Sequence, residues 1–295
     1  MADGTIDDAM IIQFSDQVHV AAQQSKARLR PHVTIKQMKG DVFAYDGLGS
    51  VEATELHGRY QPVVFSDISH NRRKISRRRF ALTLPIDASD VRGMLLSPQS
   101  EYAMACARAM ERVFDRIVIE AMFADVYTGR DFGTTVAYAA DGVSTVTATS
   151  GLTYEKLLEI NQNFIDHEVG NEVPVTKVMG ITGDEHTALM KENELTNGDF
   201  SRQYVVDKGA ITMANGIGLI LFAGSVTNPL LSVASTVRSS FAMAQGAMCV
   251  GMSKEMAISI ENRTDLHETT QVEIIFELGA VRTEGVLIQK VTTTT

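Results

Sequence analysis

Apolar residues recur at three- and four-residue spacing through Ala103, Cys106, Ala107, Met110, Val113, Phe114, Ile117, Val118, Ala121 and Met122. That is the period of a helix burying one face. Ser97 stands where a cap belongs, and Pro98 suits a first helical turn, which asks for no N–H from that position. The spacing predicts a helix opening near Ser97, and at about 1.5 Å per residue some thirty residues make a rod of roughly 45 Å. After a β-prone, turn-rich stretch from Thr134 to Thr149, Thr153 caps a second helix. Tyr154, Leu157, Leu158, Phe164 and Ile165 share one face of it, and Gly170–Asn171 ends it. A strand from Val173 to Thr182 and a short helix from Asp184 to Lys191 follow.

Elsewhere the pattern is that of strands and turns. Thr54 to Pro85 is hairpin-like, punctuated by Gly58, Pro62 and the Asp67–Asn71 cluster, with β-prone pieces at Pro62–Phe65 and Phe80–Leu84. Beyond Phe200 the candidate strands are Gly209–Met213, Gly218–Phe222 and Phe241–Gly251. Gln271–Phe276 and Gly285–Val291 are expected to pair around Gly279. The first forty residues, including Gln23–Lys26 and Arg28–Pro31, look more like an extended strap than a core element. The class is α+β, without βαβ repeats.

Composition adds bounds. The chain has 295 residues, 44% hydrophobic and 21% charged, enough for one large domain or two sharing a core. Cys106 and Cys249 lie in apolar runs with no CxxC spacing, which predicts buried free thiols in a reducing compartment. The N-terminus lacks a basic segment followed by an apolar one. The longest mostly apolar stretch, Ile211 to Val226, is interrupted by glycines and Asn215, so neither secretion nor membrane spanning is expected.

Charge changes the picture most. Net charge is -9, yet Arg72, Arg73, Lys74, Arg77, Arg78 and Arg79 put six cations into eight positions. Thr54 to Arg92 holds eight basic and four acidic residues, so it is +4 and the remainder is -13. Six cations without an interleaved carboxylate repel one another, so an acidic partner is expected. The acidic balance argues against a general nucleic-acid coat, and stacking aromatics are confined to the flanking Phe65 and Phe80. Self-association through this segment is therefore favoured over DNA binding. An arm of about forty residues costs roughly 1 to 2 kcal/mol per residue to order, equivalent to on the order of 2,000 Å² of apolar burial. Its own few apolar residues fall short, which points to burial against a neighbour. Glu155, Glu159, Asp166 and Glu168 on the second helix are candidate acidic partners by position.

Catalytic patterns are not complete. No P-loop occurs, and Asn215–Gly218 offers Gly-x-Gly with Leu221 where a third glycine is due, so it reads as a turn between strands. His167–Glu168 and Asp184–His186 lack the second histidine of a zinc protease, and no Gly-x-Ser-x-Gly elbow occurs. Asp87 and Asp90 have no further ligands of a calcium loop. No enzyme, cofactor or metal is expected.

Taken in order, Ser69–Arg73, Phe80–Leu82, Ile86–Asp90, Ser97–Tyr102, Ala109–Arg112, Gly209–Gly224 and Gly279–Arg282, with Gln23–Lys26 upstream, resemble the major capsid proteins of tailed bacteriophages with the Hong Kong 97-like fold. The resemblance implies an N-terminal arm (1–45), an extended β-hairpin loop (46–92), a peripheral domain with a long spine helix (93–192, completed by 265–295) and an axial domain (193–264). It implies a structural subunit of hexamers and pentamers forming an icosahedral shell around double-stranded DNA held without sequence specificity. The virion would be assembled in the bacterial cytoplasm. The chain lacks a fused scaffold extension, so a separate scaffolding protein is expected, with a portal at one vertex and room for a decoration protein. Some relatives crosslink a loop lysine to a neighbouring asparagine. Lys74 is the only lysine from Thr54 to Arg92, and it reads better as one more charge. The alternatives are a cargo-holding encapsulin shell and, behind it, a DNA-binding protein acting through residues 72–79.

Overall fold

The computed structural model describes residues 24–49, 51–55, 63, 65–86, 99–147, 150–171, 173–192, 206–207, 210–224, 229–234, 236–263, 265 and 269–294. In chain order the first elements are β1 (Thr34–Gln37), β2 (Val42–Leu48), β3 (His70–Ser76), β4 (Arg78–Ile86), α1 (Gln99–Phe123), β5 (Val126–Thr128), β6 (Thr134–Val136) and β7 (Ser144–Thr147). Next come α2 (Tyr154–Asp166), β8 (Lys177–Thr182), α3 (Gly183–Met190), β9 (Val206–Asp207), β10 (Ala210–Ile211), β11 (Met213–Ala214) and β12 (Ile217–Phe222). β13 (Val233–Ala234), β14 (Val237–Ala244), β15 (Met248–Arg263), β16 (Thr269–Arg282) and β17 (Ile288–Thr294) complete the chain.

The chain forms two compact units. One takes Met1–Lys26, Arg79–Arg112 and Lys254–Glu277; the other takes Ala27–Arg78, Val113–Ser253 and Leu278–Thr295. In the first, the outer length of β16 lies between β15 and β4, with Val272, Ile274 and Phe276 buried at alternate positions, as the two-residue period of a strand requires.

The second unit is built on a mixed seven-stranded sheet, in order β11, β12, β8, β14, β17, β7, with β13 also on β14. β12 pairs parallel with β8, and β14 antiparallel with both β8 and β17. Leu157, Ile160 and Phe164 of α2 and Leu189 of α3 bury into one core with Met179, Ile181, Ile217, Ala242 and Val291. A second sheet, β2–β3–β5–β6, is antiparallel throughout. Its inward side chain Ile75 packs with Met38, Val126, Cys249 and Val281.

The α1 period holds: Cys106, Met110, Phe114, Ile117, Val118 and Met122 are all buried, while Ser97 and Pro98 lie outside the described residues. The piece Pro62–Phe65 lies partly outside them, and neither Val63 nor Phe65 is in a strand. Thr153 is the N-cap of α2 as expected. α3 starts earlier than expected, because Glu185 reaches back to accept the Thr182 backbone N–H at 2.8 Å, making Thr182 the cap. The strand expected from Val173 begins only at Lys177. Asn215 and Gly216 have φ of 49° and 76° and turn β11 into β12, which both residue types tolerate.

Two expectations fail. Phe241–Gly251 is divided by a turn at Gly246, whose φ is 87°. β16 and the strand after Gly285 do not pair: β16 neighbours β15 and β4, whereas β17 neighbours β14 and β7. Gly279 is no turn. It sits inside β16, where a Cβ would collide with the backbone oxygen of Ser76, so glycine there admits a close approach of β3. The strap also departs from expectation. Leu29 is fully buried, and the Asp115 carboxylate accepts the backbone N–H groups of Arg28 and Leu29 at 2.9 and 3.0 Å.

Candidate assembly surface

The basic run lies at the junction of β3 and β4, and strand alternation divides it. On β3, Arg73 and Ile75 point inward and are buried; Arg72 and Ser76 are exposed, and Lys74 is half-buried. Lys74 Nζ stands 5.8 Å from the Tyr127 ring centroid and 6.0 Å from that of Phe132, within the range of a cation–π attraction.

Every arginine of the run meets a carboxylate of the same chain. Arg72 Nε donates to Asp46 Oδ1 at 2.6 Å, across the β2–β3 register that sets these residues opposite each other. Arg77 pairs with Asp41. Arg78 donates to Glu120 at 2.8 Å, and Arg79 lies 3.6 Å from Glu277. The hydrogen bond from Arg72 holds Asp46 below the ordinary carboxylate range.

Arg73 is the exception in kind. Its Nη1 and Nη2 donate to Asp141 Oδ2 and Oδ1 at 2.6 and 2.8 Å, a bidentate pair. Arg282 Nε donates to the same Oδ2 at 2.7 Å. Arg282 Nη1 caps α1 by donating to the carbonyls of Met122, at 3.3 Å, and Ala124. Side-chain exposure is 4% for Arg73, 10% for Asp141 and 0% for Arg282. Burial pushes the Asp141 carboxyl up, but hydrogen bonds from Arg73 and Arg282, with their charges, outweigh it and hold the group below its ordinary value. Two buried cations share one carboxylate, and among the described residues Arg73 Nε and Arg282 Nη2 have no hydrogen-bond partner. The site fixes β3 to the end of α1 and to β16. Sequence reading named Arg73 and quoted Arg282 without a role; Asp141, on a short turn from Tyr138 to Asp141, carried no signal at all.

The four acidic candidates stay apart from the run within the chain. Glu155, Asp166 and Glu168 are exposed, and Glu159 pairs with Lys156 at 3.1 Å. Leu158 and Ile165 are exposed on the same helix. The segment between β2 and β3 carries a larger apolar surface: Leu48 is 66% exposed, Val63 77% and Phe65 89%, with Val51 and Ile68 also exposed. Large apolar side chains left exposed in this number on one segment are what an interaction site needs.

The polar groups considered for catalysis serve the fold. Glu185 Oε1 accepts from Ser240 and Thr293 at 2.7 Å each, and His186 Nε2 accepts the Ile211 backbone N–H at 3.1 Å. Glu168 has φ of 59° at the end of α2. Cys106 and Cys249 are buried, and burial pushes the Cys249 thiol up to about 11. Among the described residues no cluster of three or more metal-ligating side chains occurs, and no helix is long and apolar enough to cross a membrane.

A family model described as phage capsid protein matches residues 6–292. The capsid of cyanophage P-SCSP1u superposes with a TM-score of 0.71 at 13% identity, covering 98% of this chain and 94% of that one. The capsid of Ralstonia phage GP4 gives 0.71 at 10% identity, covering 100% and 98%. The structure from Gordonia phage Cozz gives 0.69 at 13% identity, covering 98% and 92%. No curated protein matches the sequence. The fold is the Hong Kong 97-like capsid fold.

Proposed function

Because the chain belongs to the phage capsid protein family, we propose that it is the major, non-enzymatic subunit of an icosahedral shell, assembled as hexamers and pentamers around double-stranded DNA. The family match over nearly the whole length carries this reading. A scaffolding protein and a portal are its proposed partners, with a decoration protein outside. The proposed division is arm 1–45, extended loop 46–92, peripheral domain 93–192 with 265–295, and axial domain 193–264.

The exposed side chains of Leu48, Val51, Val63, Phe65 and Ile68 support a loop that lies on a neighbouring copy, because among the described residues little covers them. Arg72, Lys74, Arg77, Arg78 and Arg79 are the members of the run proposed to meet that neighbour, with Glu155, Glu159, Asp166 and Glu168 as candidate receivers. Arg73 acts from inside, holding the root of the loop through Asp141. The test is electron microscopy of the purified full-length chain, with and without a scaffold, beside R72A/R77A/R78A/R79A. Rings or shells from the wild type and their loss in the variant support the reading; wild-type protein that stays monomeric or dimeric in every condition contradicts it.

A further inference from the structure

We infer that the strap from Ala27 to Gly40 is a contact surface for the phosphate backbone of double-stranded nucleic acid. Arg28, Arg30, Lys36 and Lys39 supply four cations there, and no Asp or Glu lies between Ala27 and Gly40, on a chain of net charge -9. No ion pair joins Arg28, Lys36 or Lys39 to a carboxylate among the described residues. Arg28 instead lies 5.5 Å over the Phe222 ring, and Lys36 5.1 Å over that of Tyr45. All three are exposed.

The strap is ordered by what it buries, and its cations are what it leaves outside. Ala27, Leu29 and Met38 are buried. Asp115 holds two backbone N–H groups beside Leu29. β1 runs parallel to β15, with Thr34 opposite Cys249 and Gln37 opposite Met252, and Met38 N–H donates to Met252 O at 2.9 Å. The entropy of ordering the backbone that carries these cations has therefore been spent in folding, which favours any polyanion that meets them.

A second copy of the chain is the competing occupant, and the composition of the surface disfavours it. All four residues of β1 are exposed, and they read Thr, Ile, Lys, Gln. Ile35 is the only large apolar side chain exposed between Ala27 and Gly40 among the described residues. Protein interfaces need an apolar core and are poor in lysine, whereas phosphate contacts are made by Lys, Arg, Thr and Gln. Lys36 lies in β1, and Lys39 follows two residues beyond its end at Gln37. DNA carries one charge per about 1.7 Å of its axis, so each cation of the strap finds its own phosphate. Contact per subunit is weak, and repetition around a shell multiplies it.

This inference rests on the reading of a DNA-filled shell, but its test does not need the shell. A random-sequence DNA duplex is titrated with the soluble full-length chain at several salt concentrations, using wild type, R28Q/K36Q/K39Q and R72Q/R77Q/R78Q/R79Q. Each lost phosphate contact removes about 0.9 from the slope of log K against log salt. The strap variant is expected to bind at least tenfold more weakly at low salt with a slope lower by about 3, while the 72–79 variant stays within twofold of wild type. Lysine acetylation footprinting of wild type needs no variant: DNA should protect Lys36 and Lys39. Equal binding by strap variant and wild type, or no protection by DNA, overturns the inference. A strap variant that keeps its DNA affinity but loses assembly also overturns it, in favour of a subunit contact. Failure of the wild type to form shells, with strap-dependent DNA binding intact, would sink the functional reading alone.

Discussion

Residues 72–79 hold six cations in eight positions and residues 27–40 only four in fourteen, yet folding reverses their standing. Each arginine from Arg72 to Arg79 meets a carboxylate of its own subunit: Asp46, Asp141, Asp41, Glu120 or Glu277. The side chains of Arg28, Lys36 and Lys39 meet none among the described residues, Asp115 accepting only the backbone N–H of Arg28. The difference is topological. β3 and β4 are covered by elements that bring acids to them, whereas β1 has a partner strand on one side and exposes all four residues. Charge density in sequence therefore measures how much compensation a segment needs, and strand pairing decides how much it receives. The run would reach a neighbour with its arginines already paired within their own subunit, whereas the quieter strap keeps its field.

The largest effect that sharpens this contrast is at Asp141. Asp141→Asn leaves Arg73 and Arg282 buried with no counter-charge, and uncompensated buried charge costs about 3 to 5 kcal/mol. Urea denaturation should register most of that loss. Arg73→Ala should also destabilise, because it removes the bidentate bonds to Asp141 and the packing of a buried side chain, so neither substitution belongs in an assembly experiment. Acid gives the same information without mutation. The Asp141 carboxyl lies below its ordinary 3.8 in the folded chain. Its contribution is thus present above that value and lost as pH falls through the folded one. Wild type should lose stability steeply there, and Asp141→Asn should lose less; parallel acid curves would refute the assignment.

Smaller effects mark the exposed pairs. Arg78→Gln removes a half-exposed partner of Glu120 and should change stability by less than about 1 kcal/mol. A larger change in denaturation midpoint would mean that the run is a structural element throughout, not only at Arg73. Lys36→Gln is expected to shift stability by no more than about 0.5 kcal/mol, because no carboxylate depends on it, while DNA binding weakens. A destabilising Lys36→Gln would erase the distinction between the two segments.

Much of the frame was legible in sequence. The apolar period wrote α1 and α2, and Asn215–Gly216 wrote its turn. What escaped was set by tertiary approach. Gly279 lies between two β-prone runs and reads as a turn, but its reason is the backbone of Ser76 passing too close for a Cβ. Thr182 and Asp184 are both capping residues, and the reach of Glu185 decides for Thr182. The acidic partners of the run sit 26 to 198 positions from it, from Asp46 against Arg72 to Glu277 against Arg79, and Asp141 lies on an element with no local signature. A segment of alternating Arg and Leu reads as a loose strap until Asp115, mid-helix in α1, fixes the backbone of Arg28 and Leu29.

The central claim is that the chain builds a shell in which a second copy covers the apolar loop around Phe65. A side-chain-resolution electron microscopy map of particles formed by the full-length chain tests it most directly. The account predicts hexamers and pentamers with Val63 and Phe65 buried against a neighbour and Arg73–Asp141–Arg282 intact within each subunit. Particles in which that loop stays in solvent, or no particles under any condition, would contradict it.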